Sequence, residues 1–365
     1  MGLRRCAMEG LVMNVPDTSF WRGRRVLLTG HTGFKGSWLS LWLGQLGAEV
    51  AGLALPPNTD PALFLLADMA KSLAHHECDV RDQDGVAQIV RSVRPEVVIH
   101  LAAQPLVRAS YAEPVETFET NIFGTVNLLE VCRHNADVRV IVNVTTDKVY
   151  DDLGQTSSYQ ETDALGGHDP YSASKAASEI VTASYRDSFF SRRGVAVATA
   201  RAGNVIGGGD WSEDRLLPDA ARAWTAKETL HVRRPDAVRP WQHVLEACNS
   251  YLLLAEQLWE NPALAGAYNF GPETTEAMPV RQIIELASTA FGEGRADYAA
   301  VESGPHEAHR LVLDVAKART ILGVSPRWPI ERAVQRTMMW YRDFHRGAPA
   351  HDLCMADIVA YEIEK

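Results

Sequence analysis

The sequence predicts an α/β fold in which a doubly wound parallel sheet is covered by helices on both faces. Three observations support this prediction. Short apolar runs alternate with segments of helical periodicity over the first half of the chain, a glycine-rich turn joins the first run to the first helix, and no internal repeat interrupts the pattern. Alternation of this kind is typical of a parallel sheet, because each strand needs a crossover to the next.

The elements follow one another in a regular order. Predicted strands occupy residues 25–29, 49–53, 97–101, 139–144 and 195–200. Helical patterns occupy residues 37–46, where Gly47 stops the helix, residues 116–134, and a segment from Ser172 to residue 190. After residue 205 the strands become sparse, while Gly, Pro, Trp and Arg become frequent. We therefore predict a loose leader over residues 1–20, a sheet domain over residues 21–204, and a smaller portion over residues 205–365 with some segments returning to the sheet.

Composition excludes several classes of protein. The 365 residues include 46% hydrophobic and 22% charged residues, with a formal net charge of −10. Nucleic-acid binding is not expected, because its affinity comes mainly from cationic side chains on phosphates. The five cysteines form no CxxC pair, the histidines lack metal-ligand spacing, and no apolar run is long enough for a membrane span. We expect a cytoplasmic protein without a metal or a membrane anchor.

The glycine-rich turn predicts a dinucleotide site. Gly30, Gly33 and Gly36 lie between the first strand and the first helix. In a Rossmann-type fold such glycines make the tight turn, admit a pyrophosphate, and allow close packing of helix on strand. An ordinary βα turn can carry the same glycines, so further motifs of the same fold are needed to support a dinucleotide site. Asp79 and Val80 follow in an acidic turn suited to an adenine ring, and small residues follow the strand that ends near Leu101, including Ala102 and Ala103.

The residues themselves leave the choice between NAD and NADP open. No acidic residue for a ribose 2′-hydroxyl and no arginine for a 2′-phosphate stands after Leu53, where Ala54, Leu55 and Pro56 follow.

A tyrosine and a lysine four residues apart indicate redox chemistry. Tyr171 and Lys175 fall on one face of the predicted helix. A neighbouring ammonium favours phenolate, so we expect the pKa of Tyr171 to be lowered. A phenolate can take a hydroxyl proton while a hydride leaves the same carbon. A surface Tyr–Lys pair is the structural alternative, and the upstream glycine turn argues against it.

The order of these motifs resembles the nucleotide-sugar branch of the extended short-chain dehydrogenases/reductases. Three stretches, residues 29–39, 146–150 and 239–244 with 306–314 following, resemble the CDP-glucose 4,6-dehydratases in particular. The resemblance runs from about Trp21 to Tyr361 and implies NAD as the cofactor. The cofactor-binding candidates are Gly30, Thr32, Gly33, Phe34, Lys35, Gly36, Asp79, Val80, Leu101, Ala102, Ala103, Asn121, Thr145, Tyr171 and Lys175.

The resemblance also implies an internal redox dehydration of CDP-D-glucose to CDP-4-dehydro-6-deoxy-D-glucose. Tyr171 would deprotonate the 4-hydroxyl, Thr146 would hydrogen-bond the 4-oxygen, and Asp147 would protonate the departing 6-hydroxyl. Lys148 stands where thymidine-linked relatives have a glutamate base. It either takes the C5 proton, which requires a depressed pKa, or stabilises enolate charge while another group or water takes that proton.

Substrate contacts are implied further along the chain. Asn204 and Arg239 resemble residues at the diphosphate, and Arg310 is a weaker candidate for the same anion. Leu216, Leu217 and Pro218 resemble the segment that lines the nucleobase. A structural alternative for Arg239 is stacking on Trp241.

Two other functions remain open from the sequence alone. One is a nucleotide-sugar 4-epimerase or ketoreductase of the same fold, and the other is a non-catalytic NAD-binding protein. The helices at residues 116–134 and 172–190 resemble those that form a four-helix interface in relatives, which implies a homodimer, with a tetramer as the alternative.

Overall fold

Strands occur in both halves of the chain. The computed structural model of the protein describes residues 15–151, 157–292, 294–299 and 311–364. Its strands are β1 Arg25–Thr29, β2 Glu49–Ala54, β3 Ala74–Glu77, β4 Val97–His100, β5 Val140–Val144, β6 Ala196–Ala202, β7 Val205–Ile206, β8 Thr229–Val232, β9 Val238–Arg239, β10 Gln242–His243, β11 Ala267–Phe270, β12 Met278–Pro279 and β13 Arg295–Tyr298.

The helices alternate with these strands over the first half of the chain and dominate the second half. They are α1 Thr18–Trp21, α2 Phe34–Gln45, α3 Leu63–Leu66, α4 Gln83–Val93, α5 Val107–Ala112, α6 Pro114–Phe118, α7 Gly124–Arg133, α8 Pro170–Tyr185, α9 Leu216–Thr225, α10 Val244–Glu260, α11 Val280–Phe291, α12 Ile330–His345 and α13 Ala350–Ile363. A π-helical turn, Glu119–Phe123, joins α6 to α7.

Seven strands form one parallel sheet in the order β11-β6-β5-β4-β1-β2-β3. The strand order reverses between β1 and β4, which pair directly with Thr29 opposite His100. In open α/β sheets, ligands bind in the crevice at the carboxyl ends of the strands beside such a reversal. The predicted doubly wound parallel sheet is therefore confirmed. Its topology predicts a ligand site at the carboxyl ends of β1 and β4.

An apolar core covers each face of the sheet. On one face, Trp38 of α2, Tyr251 of α10 and Met338 of α12 are fully buried in the same cluster. On the other face, Val86 of α4 and Leu128 of α7 pack against strand residues. The strands read as continuous apolar runs because both of their faces are covered.

Local sequence explains where the helix that carries Tyr171 begins. Asp169 has an extended conformation, and its carboxylate accepts a hydrogen bond from the backbone N–H of Ser172 at 3.0 Å. Pro170 occupies the first helical position, where its fixed φ and missing N–H cost nothing. Helix α8 therefore starts two residues before the predicted start, and Tyr171 lies in its first turn.

The structure describes the end of the predicted leader, residues 15–20, and the residues that follow it. The Asp17 backbone N–H and the indole of buried Trp21 both donate to Glu256 of α10, at 2.9 and 2.6 Å. Two hydrogen bonds and a buried indole hold this segment, which residue type alone does not reveal. Residues 1–14 lie outside the described part of the chain.

The C-terminal portion contributes to the sheet as well as to the rim of the cavity described below. Strand β11 is the edge strand beside β6, and α10 packs on the same core as the strands. The division at residue 204 falls between β6 and β7, and a separate substrate-binding portion stays a prediction.

Candidate active site

A cavity of about 820 Å³ opens at the carboxyl ends of the central strands. Its size lies within the range typical of sites for small molecules and cofactors. The lining comes from the glycine turn after β1, the acidic turn after β3, the segments after β4, β5 and β6, and the start of α9. One cavity therefore joins the predicted cofactor motifs to the predicted catalytic motifs.

The glycine turn has the backbone that its sequence requires. Gly30 has a φ of +72°, and a Cβ there would lie 2.7 Å from the backbone nitrogen of Ala102. A Cβ on Gly36 would lie 2.2 Å from the carbonyl oxygen of Gly30, so the first turn of α2 sits directly on the loop. Gly33 precedes α2 and faces the cavity, with no heavy atom closer than 3.4 Å to its ideal Cβ position. Open space at a helix N-terminus suits a diphosphate.

The rest of the loop also reaches the cavity. Phe34 lines it, and Thr32, which lines it too, donates its hydroxyl to the carbonyl oxygen of Leu55 at 2.8 Å. Burial lowers the pKa of Lys35 to about 8, and the positive charge of Arg215 lowers it further. Lys35 is thus a cation held close to Asp147, whose negative charge acts in the opposite direction.

The acidic turn after β3 and the segment after β4 line the same cavity. Burial alone would raise the pKa of Asp79, but hydrogen bonds from Arg81, at 2.9 and 2.6 Å from the side chain, hold it below its usual value. Val80 is buried beside Gly124. Further lining residues are Leu101, Ala102 and Ala103.

Two cofactor candidates lie behind the cavity wall. Asn121 is buried, and its side-chain amide is held by the backbone of Gln104 and the hydroxyl of Ser174 at 2.8 to 3.1 Å. Lys175 is also buried, and its ammonium donates to the carbonyl oxygen of Val144 at 3.1 Å. Asn121 therefore shapes the loop after β4, and Lys175 braces the end of β5.

The catalytic candidates converge where β5 ends and α8 begins. The catalytic candidates Thr146, Asp147, Lys148 and Tyr171 line the cavity, together with the cofactor candidate Thr145. The side chain of Thr146 hydrogen-bonds to the phenol of Tyr171, and its hydroxyl also lies 3.0 Å from Oδ1 of Asp147. A phenol, a hydroxyl and a carboxyl thus form one connected group.

The pKa of Tyr171 differs from the sequence-based expectation. Burial raises it to about 12, although the hydrogen bond with Thr146 and the charge of Arg215 lower it. The expectation of a lowered pKa for Tyr171 is therefore wrong for the protein without a bound ligand. The ammonium of Lys175 donates to the backbone carbonyl of Val144, and burial and the nearby Lys35 depress the pKa of Lys175 to about 7.

The pKa of Asp147 is raised in the direction that an acid requires. Its side chain is 2% exposed, and burial raises its pKa while Lys148 and Thr146 lower it. Oδ2 of Asp147 is buried and has no hydrogen-bond partner among the described residues. This oxygen can carry a proton toward a ligand in the cavity.

Most of the substrate candidates line the same cavity. They are Asn204, Leu216, Leu217, Pro218 and Arg239. Arg239 is buried, and its guanidinium donates to the carbonyl of Val238 at 3.0 Å. Arg310 lies outside the described residues.

Several lining residues were missed from the sequence. The cations Arg108, Arg215 and Arg233 and the polar residues Asn58 and Thr59 all line the cavity. Asn58 and Thr59 follow the prolines after β2, close to where an acidic residue for the ribose would be expected. Arg215 immediately precedes the predicted nucleobase segment. This position in the chain is the one sequence feature that could have indicated that it lines the cavity.

The described residues contain neither a membrane span nor a cluster of metal ligands. None of the helices there is long and apolar enough to cross a bilayer. In the same part of the chain, no group of three or more His, Cys, Asp or Glu side chains is placed to hold a metal ion.

This fold, with a glycine turn and Tyr171 on one cavity and Lys175 one helical turn further along α8, defines a protein of the extended short-chain dehydrogenase/reductase type. The family model for GDP-mannose 4,6 dehydratase matches residues 27–337. The chain belongs to this family of enzymes.

Individual relatives include dehydratases that act on nucleotide-activated glucose. A CDP-glucose 4,6-dehydratase from Salmonella typhimurium is 43% identical over 337 residues, covering 91% of this chain and 94% of that protein. A dTDP-glucose 4,6-dehydratase from Xanthomonas campestris pv. campestris is 27% identical, covering 86% and 92%.

Solved structures share the fold. The UDP-glucose 4-epimerase of Thermus thermophilus, in complex with NAD, has a TM-score of 0.75 and 29% identity, covering 89% of this chain and 99% of that one. The dTDP-glucose 4,6-dehydratase of Bacillus anthracis, also with NAD, has a TM-score of 0.75 and 21% identity, covering 89% and 98%.

Proposed function

We propose that this protein converts CDP-D-glucose to CDP-4-dehydro-6-deoxy-D-glucose, with NAD regenerated in every cycle. The observation that carries the proposal is the connected group Tyr171–Thr146–Asp147, which faces the same cavity as the glycine turn. The CDP-glucose 4,6-dehydratase at 43% identity supports CDP-glucose as the substrate.

The residues around the glycine turn fit a dinucleotide. Open space in front of Gly33 and the first turn of α2 suits a diphosphate, and Val80 offers an apolar wall to an adenine. When bound, NAD supplies a hydride acceptor for C4 and later a hydride donor for C6. NAD in the two solved structures supports this cofactor.

The first half of the reaction oxidises C4. Tyr171 takes the proton of the 4-hydroxyl as the hydride leaves C4, and Thr146 donates a hydrogen bond to the same oxygen. With a pKa of about 12, Tyr171 is almost entirely protonated at neutral pH in the chain alone, so little phenolate is present to accept a proton. Positive charge gathered in the cavity, including Arg215, favours its phenolate form.

The second half removes water across C5 and C6. The 4-ketone acidifies the C5 proton, and Asp147 gives its proton to the departing 6-hydroxyl, which leaves as water. A hydride then adds to C6 and a proton adds to C5. Asp147 suits this role because burial raises its pKa.

Lys148 stands beside Asp147 at the cavity wall. Two roles fit its position: it takes the C5 proton, or its charge stabilises the enolate while water takes the proton. A lysine serves as a base only when its ammonium can lose a proton at working pH.

The test is direct incubation with CDP-glucose, followed by alkali treatment and the absorbance of a 4-keto-6-deoxy sugar. Formation of this product supports the proposal. Turnover of UDP- or dTDP-glucose without turnover of CDP-glucose contradicts the choice of nucleotide.

Epimerisation at C4 without loss of oxygen establishes the second candidate function, a 4-epimerase, which the fold of the Thermus protein brings into consideration. Buried Asp147 favours the dehydratase, because epimerisation removes no hydroxyl.

We also propose that the protein acts as a homodimer in the cytoplasm. Val115, Phe123 and Ile180, on the neighbouring segments α6, Glu119–Phe123 and α8, are 68%, 60% and 60% exposed. Apolar side chains grouped on adjoining helices are typical of an interface. The four cysteines of the described residues are free, which suits a reducing compartment.

A further inference from the structure

A buried ion pair lies directly behind the catalytic residues. Glu179 of α8 and Arg201 of β6 are each 3% exposed, and their side chains form two parallel hydrogen bonds of 3.0 and 2.9 Å. A bidentate pair of this kind has a fixed geometry as well as a strong attraction. Neither residue lines the cavity or belongs to the predicted catalytic set.

Two hydroxyl groups complete the coordination of this carboxylate. Thr145, which follows β5, donates to one oxygen of Glu179 at 2.5 Å, and Thr199 of β6 donates to the other at 2.6 Å. Each oxygen thus accepts one hydroxyl and one guanidinium N–H. The side chain of Glu179 therefore has a single orientation, and it fixes the position of Thr145.

Three successive turns of α8 contact three consecutive residues at the end of β5. Tyr171 contacts Thr146, Lys175 contacts the carbonyl of Val144, and Glu179 contacts Thr145. Residues four apart lie on one face of a helix, so these three side chains form one row. Two members of the row are the predicted redox pair, and Glu179 is the third.

We propose that Glu179 is a positioning residue for the reaction, which holds Thr145 so that Thr146 and Asp147 stay aligned with Tyr171, and which places a fixed negative charge one turn from Lys175. This inference rests on the proposed function for the identity of the catalytic residues. Arg201 acts through Glu179, because it fixes the orientation of the carboxylate.

The charge of Glu179 acts on Lys175 against two opposing influences. Burial lowers the pKa of Lys175 to about 7, the positive charge of Lys35 lowers it further, and Glu179 raises it. His100 also faces Lys175, but burial lowers its own pKa to about 3, so its ring is neutral at working pH. Glu179 is therefore the carboxylate that favours the ammonium form of Lys175.

A matched pair of variants separates positioning from general stability. Thr145→Val and Thr199→Val each remove one hydroxyl from Glu179, but only Thr145 adjoins Thr146. We expect Thr145→Val to lower kcat about tenfold with little change in KM for the sugar nucleotide, and Thr145→Ser to restore kcat. Thr199→Val should keep kcat within about twofold at a similar loss of thermal stability. Equal kcat values in the two valine variants overturn the positioning role.

A second measurement does not depend on turnover. The chain has seven lysines, so ¹³C labelling of lysine Cε gives few NMR signals, and Lys175→Arg assigns the one of interest. We expect Glu179→Gln to shift the titration of Lys175 to lower pH, because the stabilising charge is gone. The double variant Glu179→Gln with Arg201→Met repeats the test without an unpaired buried guanidinium, should the single variant fold poorly.

The two experiments distinguish the two proposals. An unchanged Lys175 titration in a folded Glu179→Gln variant overturns the inference whatever the substrate is. Failure of the wild-type protein to dehydrate CDP-glucose, with a shifted Lys175 titration in the variant, contradicts the proposed function and leaves the electrostatic role of Glu179 supported.

Discussion

Thr146 and Tyr171 hydrogen-bond to each other through their side chains, across the gap between the end of β5 and the first turn of α8. The hydroxyl of Thr146 also lies 3.0 Å from Oδ1 of Asp147. In the proposed reaction, the acceptor of the 4-hydroxyl proton and the donor to the 6-hydroxyl therefore stand on either side of one threonine. Under that proposal, one cavity carries out oxidation and elimination on nearby carbons.

Replacing Tyr171 by phenylalanine should remove the proton acceptor and preserve the fold. The phenyl ring fills the same buried space, so we expect kcat to fall about 10²- to 10⁴-fold with little change in thermal stability. Steady-state turnover of CDP-glucose and a melting curve measure the two effects. A variant with near wild-type kcat contradicts the assignment of Tyr171.

Asp147→Asn should separate oxidation from elimination. An amide cannot protonate the departing hydroxyl, so we expect reduced nicotinamide to accumulate on the enzyme while dehydrated product fails to form. Absorbance of the reduced cofactor after a single addition of substrate measures this trapping. The absence of any reduced cofactor, together with lost turnover, assigns Asp147 to binding instead.

The same carboxyl group predicts a pH dependence. Asp147 must be protonated to act as the acid, and burial raises its pKa above the ordinary value. As the pH rises through this raised pKa, the carboxyl group loses its proton, and kcat should fall with a slowing of the elimination step. A pH profile of kcat that stays flat into the alkaline range contradicts the role of Asp147 as the acid.

Lys148 can be tested with two substitutions that differ in charge and basicity. Alanine removes both, and we expect it to lower kcat about 100-fold. Arginine keeps the positive charge but does not deprotonate at working pH. Activity retained in Lys148→Arg identifies charge stabilisation, and activity lost in both variants identifies proton transfer. Near-normal rates in Lys148→Ala eliminate any chemical role.

The motifs that pack backbone against backbone were predictable from the sequence. Gly30 and Gly36 are required by close contacts with Ala102 and with the loop itself, so their spacing carries structural information. Arg239 lines the cavity, while its contact with the diphosphate stays a prediction. Arg215 was missed, because its approach to Tyr171 depends on how α9 packs and on no local pattern. The pKa of Tyr171 was also mispredicted, since burial depends on the whole fold.

The exposed apolar face offers a test of assembly. We expect the double variant Phe123→Glu and Ile180→Glu to be monomeric in light scattering, because two charges on this face oppose burial of the interface. Leu65→Glu is the matched control, since Leu65 is 63% exposed but lies on α3. A dimer that survives the double substitution places the interface elsewhere, and a monomeric wild-type protein removes the proposal of a homodimer.

Glu246 of α10 predicts a dependence of stability on pH. One of its oxygens accepts the backbone N–H groups of Arg327 and Trp328 at 2.9 and 2.6 Å, and the other accepts the hydroxyl of Tyr361 at 2.7 Å. Burial raises the pKa of Glu246 to about 7, although these bonds lower it. The unfolded chain, with an ordinary pKa, loses this proton at lower pH than the folded protein does. The preference of the folded protein for the protonated Glu246 therefore adds to the free energy of unfolding. This contribution is complete below about pH 4.5 and is lost as the pH rises to about 7.

Glu246→Gln should flatten this part of the stability curve. Its amide oxygen can still accept both backbone N–H groups, and its NH₂ group can donate to Tyr361. A pKa raised from 4.5 to about 7 corresponds to roughly 3 kcal/mol, so the variant should gain up to that amount relative to wild type between pH 5 and 7.5. Urea unfolding at several pH values measures the gain, with exposed Glu228→Gln as the control. Parallel curves for wild type and Glu246→Gln mean that Glu246 is already ionised in the folded protein, held by its three donors.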